Sequence, residues 1–299
     1  MSRIIVHIGL PKTATTSLQQ DLFPRLAHGS LLYLGVYQPR QAHQQNRLFQ
    51  EFCEVVNGMG NLARIRNEIA STIAEGRSIL LSEEMFTVSR QGFSWRQKLT
   101  RLSELLRDFD YEILVTVREP AEALFSFYTE AFPRFSFRGS FIDCALEDDE
   151  MHIYHYGELT HTLLDRFGRT RVKIFRFEDI VSGDIQGIVD AIHPGFSIEQ
   201  GFTLERKNSR DTKGGSVVSR HRFTIADLIH YPYRKLGLNR IEYMSSLKQT
   251  FQPLTSLLGN VTLHRISVQR PTESEMSYLR NHLRSENAVL KREFQISYD

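Results

Sequence analysis

The sequence has little cysteine, no long apolar run and almost no excess of charge. Its two cysteines, Cys53 and Cys144, cannot form a disulfide framework, and no Cys-x-x-Cys or Cys/His spacing indicates zinc. We interpret both as small core residues of a protein from a reducing compartment. No stretch approaches the roughly 18 apolar residues of a membrane span, and the N-terminal apolar run is too short for a signal peptide. These absences predict a cytoplasmic protein.

Lysine and arginine number 37 against 35 aspartates and glutamates, a net charge of only +2. This balance gives no overall attraction to nucleic acid, so any anion site must be local. Hydrophobic residues at 41% and charged residues at 24% are typical of a globular protein. Since no repeat or low-complexity linker interrupts the 299 residues, we predict one domain over 1–299, with a core over about 1–182 and a mostly helical part over about 183–299.

Short β-branched runs alternate with helical patterns over the first 180 residues. The predicted strands are Arg3–Ile8, Leu31–Val36, Ser78–Ser82, Tyr111–Val117 and Arg171–Phe177. The predicted helices are Thr13–Leu26, Gln44–Val56, Leu62–Glu75, Trp95–Phe109, Ala121–Phe132, Ile153–Phe167 and Thr272–Phe294. This alternation predicts a three-layer α/β fold with a central parallel sheet and a helical C-terminal extension.

The most informative segment runs from His7 to Gln19, from the first strand into the first helix. Backbone N–H groups and the helix dipole create an anion site at such a junction. Lys12 adds a positive charge, and a cluster of hydroxyls adds donors: Thr13, Thr15, Thr16 and Ser17. The hydroxyls alone could serve as helix caps. Together with the strand, Gly9 and the lysine they favour a phosphate-binding loop.

This loop is not a Walker A loop. That motif has the pattern G-x-x-x-x-G-K-[ST]. Counted from Gly9, Ala14 takes the place of the second glycine and Thr15 that of the lysine. The geometry is related, but the nucleotide chemistry should differ.

The run Lys12-Thr-Ala-Thr-Thr-Ser17 resembles the 5′-phosphosulfate-binding loop of sulfotransferases that use 3′-phosphoadenosine 5′-phosphosulfate (PAPS). The family form has glycine at the position of Ala14. A positive φ there would cost alanine about 1 kcal/mol. The resemblance implies a P-loop-like fold of the bacterial or carbohydrate sulfotransferase type, with residues Lys12 to Ser17 around the 5′ group.

A second motif, Val115-Thr-Val-Arg118-Glu-Pro120 followed by Ser126, resembles the family's 3′-phosphate site. Arginine offers a fork of donors that matches a phosphate, and a serine two helical turns later can donate from the same side. The alternative is that Arg118 pairs with a surface carboxylate and Ser126 is an ordinary helix residue.

A late basic loop resembles, more weakly, the family segment that closes over the 3′-phosphate and adenine. Its candidate residues are Arg206, Lys207, Lys213 and Gly214. A solvated run of charge explains this stretch equally well.

The resemblance implies transfer of a sulfuryl group from PAPS to a hydroxyl or, secondarily, an amine, with adenosine 3′,5′-bisphosphate (PAP) as product and no metal. Lys12 would stabilise negative charge on the bridging oxygen. A general base must take the acceptor proton. Glu84 is the first candidate and Glu83 the second, because both follow the third strand at its carboxyl end. His43, after the second strand, is the rival.

The acceptor is less determined by the sequence. Aromatic residues cluster after the arginine motif, interleaved with Arg134 and Arg138: Phe125, Phe127, Tyr128, Phe132, Phe135 and Phe137. Most should be core residues, and the arginines suit an acidic or glycan acceptor. We expect a small molecule or glycan as partner, and neither nucleic acid nor membrane.

Two other function classes stay open. An ATP-dependent P-loop kinase is one, since Ile79–Glu84 superficially resembles a Walker B strand, but Ser82 occupies the position of the magnesium-binding aspartate. The second is a non-catalytic module that retains the fold. Intact Lys12, Arg118 and Ser126 argue against it.

Overall fold

The computed structural model describes residues 2–36, 46–89, 92–135, 139–196, 198, 202, 204–205, 217–224 and 262–298. The chain divides into two compact units, each assembled from separate stretches of sequence. The first comprises Met1–Pro120, Ile153–Ser209 and Leu283–Asp299, and the second comprises Ala121–His152 and Arg210–His282. Most of the sequence-predicted site residues that the structure describes belong to the first unit.

A five-stranded parallel sheet forms the centre of the first unit. Its strands are β1 Ile4–His7, β2 Leu31–Gly35, β3 Ser78–Ser82, β4 Tyr111–Val117 and β5 Val172–Arg176. The order across the sheet is β2-β3-β1-β4-β5. His7, the last residue of β1, pairs with Ser82 on one side and Leu114 on the other. Chain connections leave β1 towards β2 and cross back towards β4, so the carboxyl end of β1 lies at a topological switch point, the usual ligand position in open α/β sheets.

Helices connect the strands, because parallel neighbours require crossover connections. After the loop that follows β1, residues 15–26 are helical, as α1 Thr15–Ser17, a π-helix over Leu18–Leu22 and α2 Phe23–Leu26. The next helices are α3 Arg47–Val56, α4 Leu62–Ala74, a 3₁₀ helix Glu84–Thr87 and α5 Trp95–Leu106. After β4 come α6 Pro120–Glu130, α7 Phe132–Phe135, α8 Phe141–Glu147, a 3₁₀ helix His152–Tyr154, α9 Tyr156–Phe167 and a 3₁₀ helix Arg169–Arg171. The last are α10 Phe177–Ser182, α11 Gln186–Ile192 and α12 Glu273–Phe294.

Both faces of the central strands are buried. Ile5, Leu80 and Leu114 share a hydrophobic cluster with residues from Leu18–Leu26 and from Ile180–Ile192 on one face. Successive side chains of a strand point to opposite faces, and the alternate residues of β1, β3 and β4 are buried as well. The β-branched and leucine-rich strands of the sequence therefore fill the middle layer of the unit.

The second unit combines short helices with an antiparallel pair of strands, β6 Val217–Thr224 and β7 Thr262–Gln269. Five of the aromatic residues predicted as core are buried here, namely Phe125, Phe127, Tyr128, Phe132 and Phe135. Their rings pack on one another and on Phe141, largely edge to face. Phe137, Arg138 and the side chain of Arg134 lie outside the described residues.

The predicted α/β class with a central parallel sheet between helices is confirmed, and Ser78–Ser82 and Tyr111–Val117 have the predicted bounds. The long C-terminal helix is present as α12, but the sequence analysis omitted β6 and β7. Of the helices that the structure describes, none is both long and apolar enough to cross a membrane.

Candidate active site

The loop after β1 has an unusual backbone conformation. Lys12 (φ 70°) and Ala14 (φ 64°) both lie in the left-handed region, which non-glycine residues seldom adopt. Ala14 is followed directly by helical Thr15. A left-handed residue next to a right-handed one turns successive N–H groups towards a common point and forms an anion-binding concavity.

Loop carbonyl groups are bonded to hydroxyls on the protein side. The Leu10 carbonyl oxygen accepts from the hydroxyls of Thr13 (2.6 Å) and Thr15 (3.2 Å), and the Pro11 carbonyl oxygen accepts from the Tyr154 hydroxyl (2.9 Å). In a trans peptide the N–H points opposite to the preceding C=O. The Lys12 N–H therefore points away from the buried Tyr154 ring. The carbonyls of Leu10 and Pro11 are therefore held by protein hydroxyls, and the Lys12 N–H is directed away from Tyr154.

The helix start has no side-chain cap. Ala14 occupies the N-cap position and has no side chain that could cap the helix. Capping therefore does not account for the hydroxyl cluster. Thr13 and Thr15 fix the loop from beneath, and the Ser17 hydroxyl donates to the Glu205 carbonyl oxygen (2.9 Å). Half-buried Thr16 is the fourth member of the cluster.

Gly9 allows the loop to pass close to the end of β1. A Cβ atom at this position would lie 2.6 Å from both His7 Cε1 and Thr15 Oγ1. Any larger residue would displace the loop or the imidazole. The glycine is required here for close approach, not for a positive φ.

A chain of buried polar groups crosses the sheet beneath the loop. His7 Nδ1 lies 2.9 Å from Ser82 Oγ, and His7 Nε2 lies 3.5 Å from Thr116 Oγ1, which is 2.7 Å from Thr13 Oγ1. Gln19 Nε2 donates to Ser82 Oγ at 3.1 Å. All five side chains are at least 98% buried, so their hydrogen bonds replace water completely.

The directions of these bonds assign the His7 tautomer. The Thr13 proton goes to Leu10, so Thr116 must donate to Thr13 and accept from His7 Nε2–H. His7 Nδ1 then accepts from Ser82. Burial lowers the pKa of His7 from 6.5 to about 3, because a charged imidazole would lose its hydration. His7 is therefore a neutral structural bridge at physiological pH.

The segment after β3 lies directly beside the loop entrance, since the Glu83 N–H donates to the His7 carbonyl oxygen (3.1 Å). The Glu83 carboxylate accepts from the Met85 N–H (2.9 Å) and so caps the 3₁₀ helix Glu84–Thr87. Glu83 is buried, whereas Glu84 is half-buried. The two glutamates thus differ in role, and only Glu83 serves as the cap.

Arg118 immediately follows β4. Its guanidinium lies over the Phe177 ring, 4.8 Å from the centroid, and forms no ion pair within the described ranges. The Tyr156 hydroxyl donates to the Arg118 carbonyl oxygen (2.6 Å) and accepts from its N–H (3.1 Å). The carboxylate pairing considered as the alternative for Arg118 is absent from this part of the chain.

Next to Arg118, the Glu178 carboxylate holds the following peptide. One of its oxygens accepts from the Glu119 N–H (3.0 Å) and the other from the Tyr298 hydroxyl (3.2 Å). A residue close to the end of the sequence therefore supports the turn that follows β4.

The chain is similar to two solved sulfotransferases. One is a sulfotransferase from Alicyclobacillus acidocaldarius, with 17% identity over 69% of this chain and 87% of that chain, at a TM-score of 0.41. The other is the sulfotransferase domain from the curacin biosynthetic pathway, with 14% identity over 64% of this chain and 72% of that one, at a TM-score of 0.37. No protein-family model and no curated protein matches the sequence.

The structure brings one group of predicted site residues together. The loop of Lys12 to Ser17 adjoins the segment of Glu83 and Glu84, and Arg118 follows the neighbouring strand on the other side of β1. Ser126 lies half-buried on α6, in the second unit. The remaining candidates lie outside the described residues: His43, Arg206, Lys207, Lys213 and Gly214.

Several residues that support the site were missed in the sequence. Tyr154 and Tyr156 act on loops more than 30 residues away, and Gln19 bonds to Ser82. Buried Lys98 donates to the carbonyl oxygens of Met85 (3.0 Å) and Val88 (2.8 Å), at the end of the 3₁₀ helix that begins with Glu84. No local periodicity indicates such distant partners, although a Tyr-x-Tyr pair at the start of a helix is visible in the sequence.

Proposed function

We propose that this protein is a PAPS-dependent sulfotransferase that transfers a sulfuryl group to a hydroxyl, or secondarily an amine, of a small-molecule or glycan acceptor. The observation that carries the proposal is the uncapped, left-handed loop with Lys12 at the switch point of the sheet. A left-handed loop at Lys12 and Ala14, with one lysine and no Walker A pattern, suits a phosphosulfate.

The residues of this loop and of the turn after β4 suit the two ends of such a donor. The N–H groups around Ala14 and the Lys12 ammonium would bind the 5′ group, and the Arg118 fork would bind the 3′-phosphate. In the loop geometry, Thr13, Thr15 and Ser17 serve as braces because their hydroxyls already donate to carbonyl oxygens. We therefore assign the ligand contacts to Lys12, Thr16, Arg118 and backbone N–H groups, whereas Ser126, which belongs to the second unit, stays a prediction.

The transfer needs a positive charge and a base. As the acceptor oxygen bonds to sulfur and the bridging S–O bond breaks, Lys12 would stabilise negative charge on the departing oxygen. The acceptor proton would pass to a carboxylate. Glu84 suits this role better than Glu83, whose carboxylate is buried and caps the 3₁₀ helix. His43, the basic loop Arg206–Gly214, the single-domain organisation and the cytoplasmic location stay predictions.

Calorimetric titration with PAP, with and without metal, tests the proposal, and Mg·ATP is titrated in parallel. We expect micromolar binding of PAP without metal, lost in Arg118→Ala. Arg171→Ala is the matched control. Arg171 also lies over an aromatic ring, that of Tyr111 (4.3 Å from the ring centroid), but it precedes β5 and so lies at the amino end of the strands, away from Arg118. Preference for Mg·ATP would indicate a kinase instead. Binding of neither would indicate a non-catalytic module.

Turnover tests the base. Once an acceptor is found, Glu84→Gln should abolish transfer and leave PAP affinity within about twofold, since the carboxylate acts only on the acceptor proton. Full activity in Glu84→Gln would exclude it and direct attention to His43.

A further inference from the structure

One short segment holds both candidate anion loops of the first unit. Tyr154 ends the 3₁₀ helix His152–Tyr154, and Tyr156 begins α9, with only His155 between them. The Tyr154 hydroxyl donates to the Pro11 carbonyl oxygen in the loop after β1. The Tyr156 hydroxyl bonds to both backbone groups of Arg118 after β4. Two residues separated by one position therefore contact two loops that lie more than 100 residues apart in the sequence.

The segment itself is firmly fixed. Both tyrosines are completely buried, and His155 Nδ1 lies 3.3 Å from Glu286 Oε2 on α12. A Cβ atom at Gly157 would lie 3.1 Å from the Glu286 carbonyl oxygen, so α9 begins in close contact with that helix. These contacts of the segment with α12 involve neither of the two anion loops.

Each hydroxyl acts on a backbone group that sets the direction of a ligand donor. Because Tyr154 binds the Pro11 carbonyl, it orients the Lys12 N–H of the same peptide. Because Tyr156 binds both the N–H and the carbonyl of Arg118, it fixes the peptides on either side of that residue. Burial raises the pKa of the Tyr156 hydroxyl, which keeps its proton available for the Arg118 carbonyl.

We propose that Tyr154 and Tyr156 form a two-point clamp that fixes the spacing between the 5′- and 3′-anion loops and so selects nucleotides that carry both anions. This inference rests on the proposed function and extends it to the recognition of the donor. The tyrosines are positioning residues, since they act through Pro11, Lys12 and Arg118. The two contacts can be tested one at a time, because Tyr154 bonds only to the 5′ loop and Tyr156 only to the 3′ loop in the hydrogen bonds described above.

The test compares PAP with adenosine 5′-monophosphate (AMP), which lacks the 3′-phosphate, by calorimetry on the full chain. Tyr156→Phe should weaken PAP binding roughly tenfold, the loss of about one hydrogen bond, and leave AMP within twofold. Tyr154→Phe should weaken both nucleotides by similar factors. Tyr111→Phe is the matched control, a buried tyrosine of β4 whose ring packs on Phe167, and it should change neither.

An unchanged ratio of the PAP and AMP affinities in Tyr156→Phe would overturn the clamp and leave the proposed function intact. This holds whether both affinities fall equally or neither falls. If the wild type binds neither PAP nor AMP, the proposed function is wrong, and the clamp, which rests on it, is wrong as well.

Amide exchange gives a second readout that needs no ligand and no variant. The wild-type Arg118 N–H should be strongly protected, because it donates to a buried hydroxyl just beyond the end of β4. Exchange of that amide at the solvent rate would overturn the clamp even if the phenylalanine variants failed to fold.

Discussion

Ala14 occupies a left-handed position that glycine adopts without steric cost. The strain is local, and it is held by the hydroxyl bonds on either side of the residue, from Thr13 and Thr15 to the Leu10 carbonyl oxygen. The sequence alone marks the position as a departure from the glycine of the resembled family. Only the backbone angles show that the departure coincides with a positive φ.

Ala14→Gly should therefore raise the free energy of unfolding by up to about 1 kcal/mol, because the left-handed strain of alanine is relieved. Urea unfolding checks this, with Ala70→Gly in the middle of α4 as the matched control. The control should lower stability by about 1 kcal/mol, the usual cost of glycine inside a helix. A loss of stability in Ala14→Gly would contradict the strain interpretation.

Thr116 and Thr160 provide a second comparison at this scale. Both are completely buried, but Thr116 bonds to Thr13 and lies near His7, whereas the Thr160 hydroxyl has no hydrogen-bond partner among the described residues. Thr116→Val should lower the free energy of unfolding by about 1–3 kcal/mol, because it leaves buried partners unpaired. Thr160→Val should be neutral or stabilising. Similar losses in both variants would show that the network adds nothing beyond packing.

At the scale of elements, the sequence predicts the strands better than the connections between them. β3 and β4 were located to the residue because their β-branched and leucine runs are buried on both faces and bounded by polar residues. α9 begins three residues later than predicted, since the 3₁₀ helix His152–Tyr154 takes the first of the predicted helical turns. β6 and β7 were missed, because their pairing joins segments about 40 residues apart and is not a local signal.

Lys98 stabilises the C-terminal end of the 3₁₀ helix Glu84–Thr87. Lys98 on α5 donates to two carbonyl oxygens at its C-terminal end, where the helix dipole also favours positive charge. Lys98→Met should accelerate amide exchange at Met85 and Val88 and lower the free energy of unfolding by about 2 kcal/mol. PAP affinity should change less than twofold. Unchanged exchange at both amides would contradict the anchoring role.

At the scale of the whole molecule, the candidate anion loop can be located in the sequence because its residues are contiguous, whereas the residues that brace it cannot. Gly9, Lys12 and the hydroxyls stand within nine positions, and their chemistry can be read without the fold. The roles of Thr13 and Ser17 required the structure, since their partners Thr116 and Glu205 lie more than 100 residues away. A hydroxyl in a motif can be a ligand donor or a brace, and only its partner decides which.

His7 should make stability depend on pH. Its pKa is about 3 in the folded protein and about 6.5 for an exposed histidine, so between these limits the unfolded chain binds more protons. Stability should rise with pH through this window and level off above 6.5. The contribution is about 1.4 kcal/mol per pH unit within it.

Urea unfolding at pH 5.0 to 7.5, compared with His7→Gln, isolates this contribution. The stability advantage of the wild type over the variant should shrink as the pH falls below 6.5, because glutamine takes up no proton in either state. Parallel curves for the two proteins would mean that His7 is protonated alike in the folded and unfolded chain.

The contact of Tyr298 with Glu178 has a practical consequence for these experiments. A fusion partner joined after Asp299 would begin two positions after Tyr298, whose hydroxyl supports the turn next to Arg118. By contrast, the first residue of β1 lies at the amino end of the parallel strands, and the loop lies at their carboxyl end. A tag ahead of β1 would attach at the end of the strands opposite the candidate loop, whereas an extension after Tyr298 would attach beside the contact that supports the turn next to Arg118.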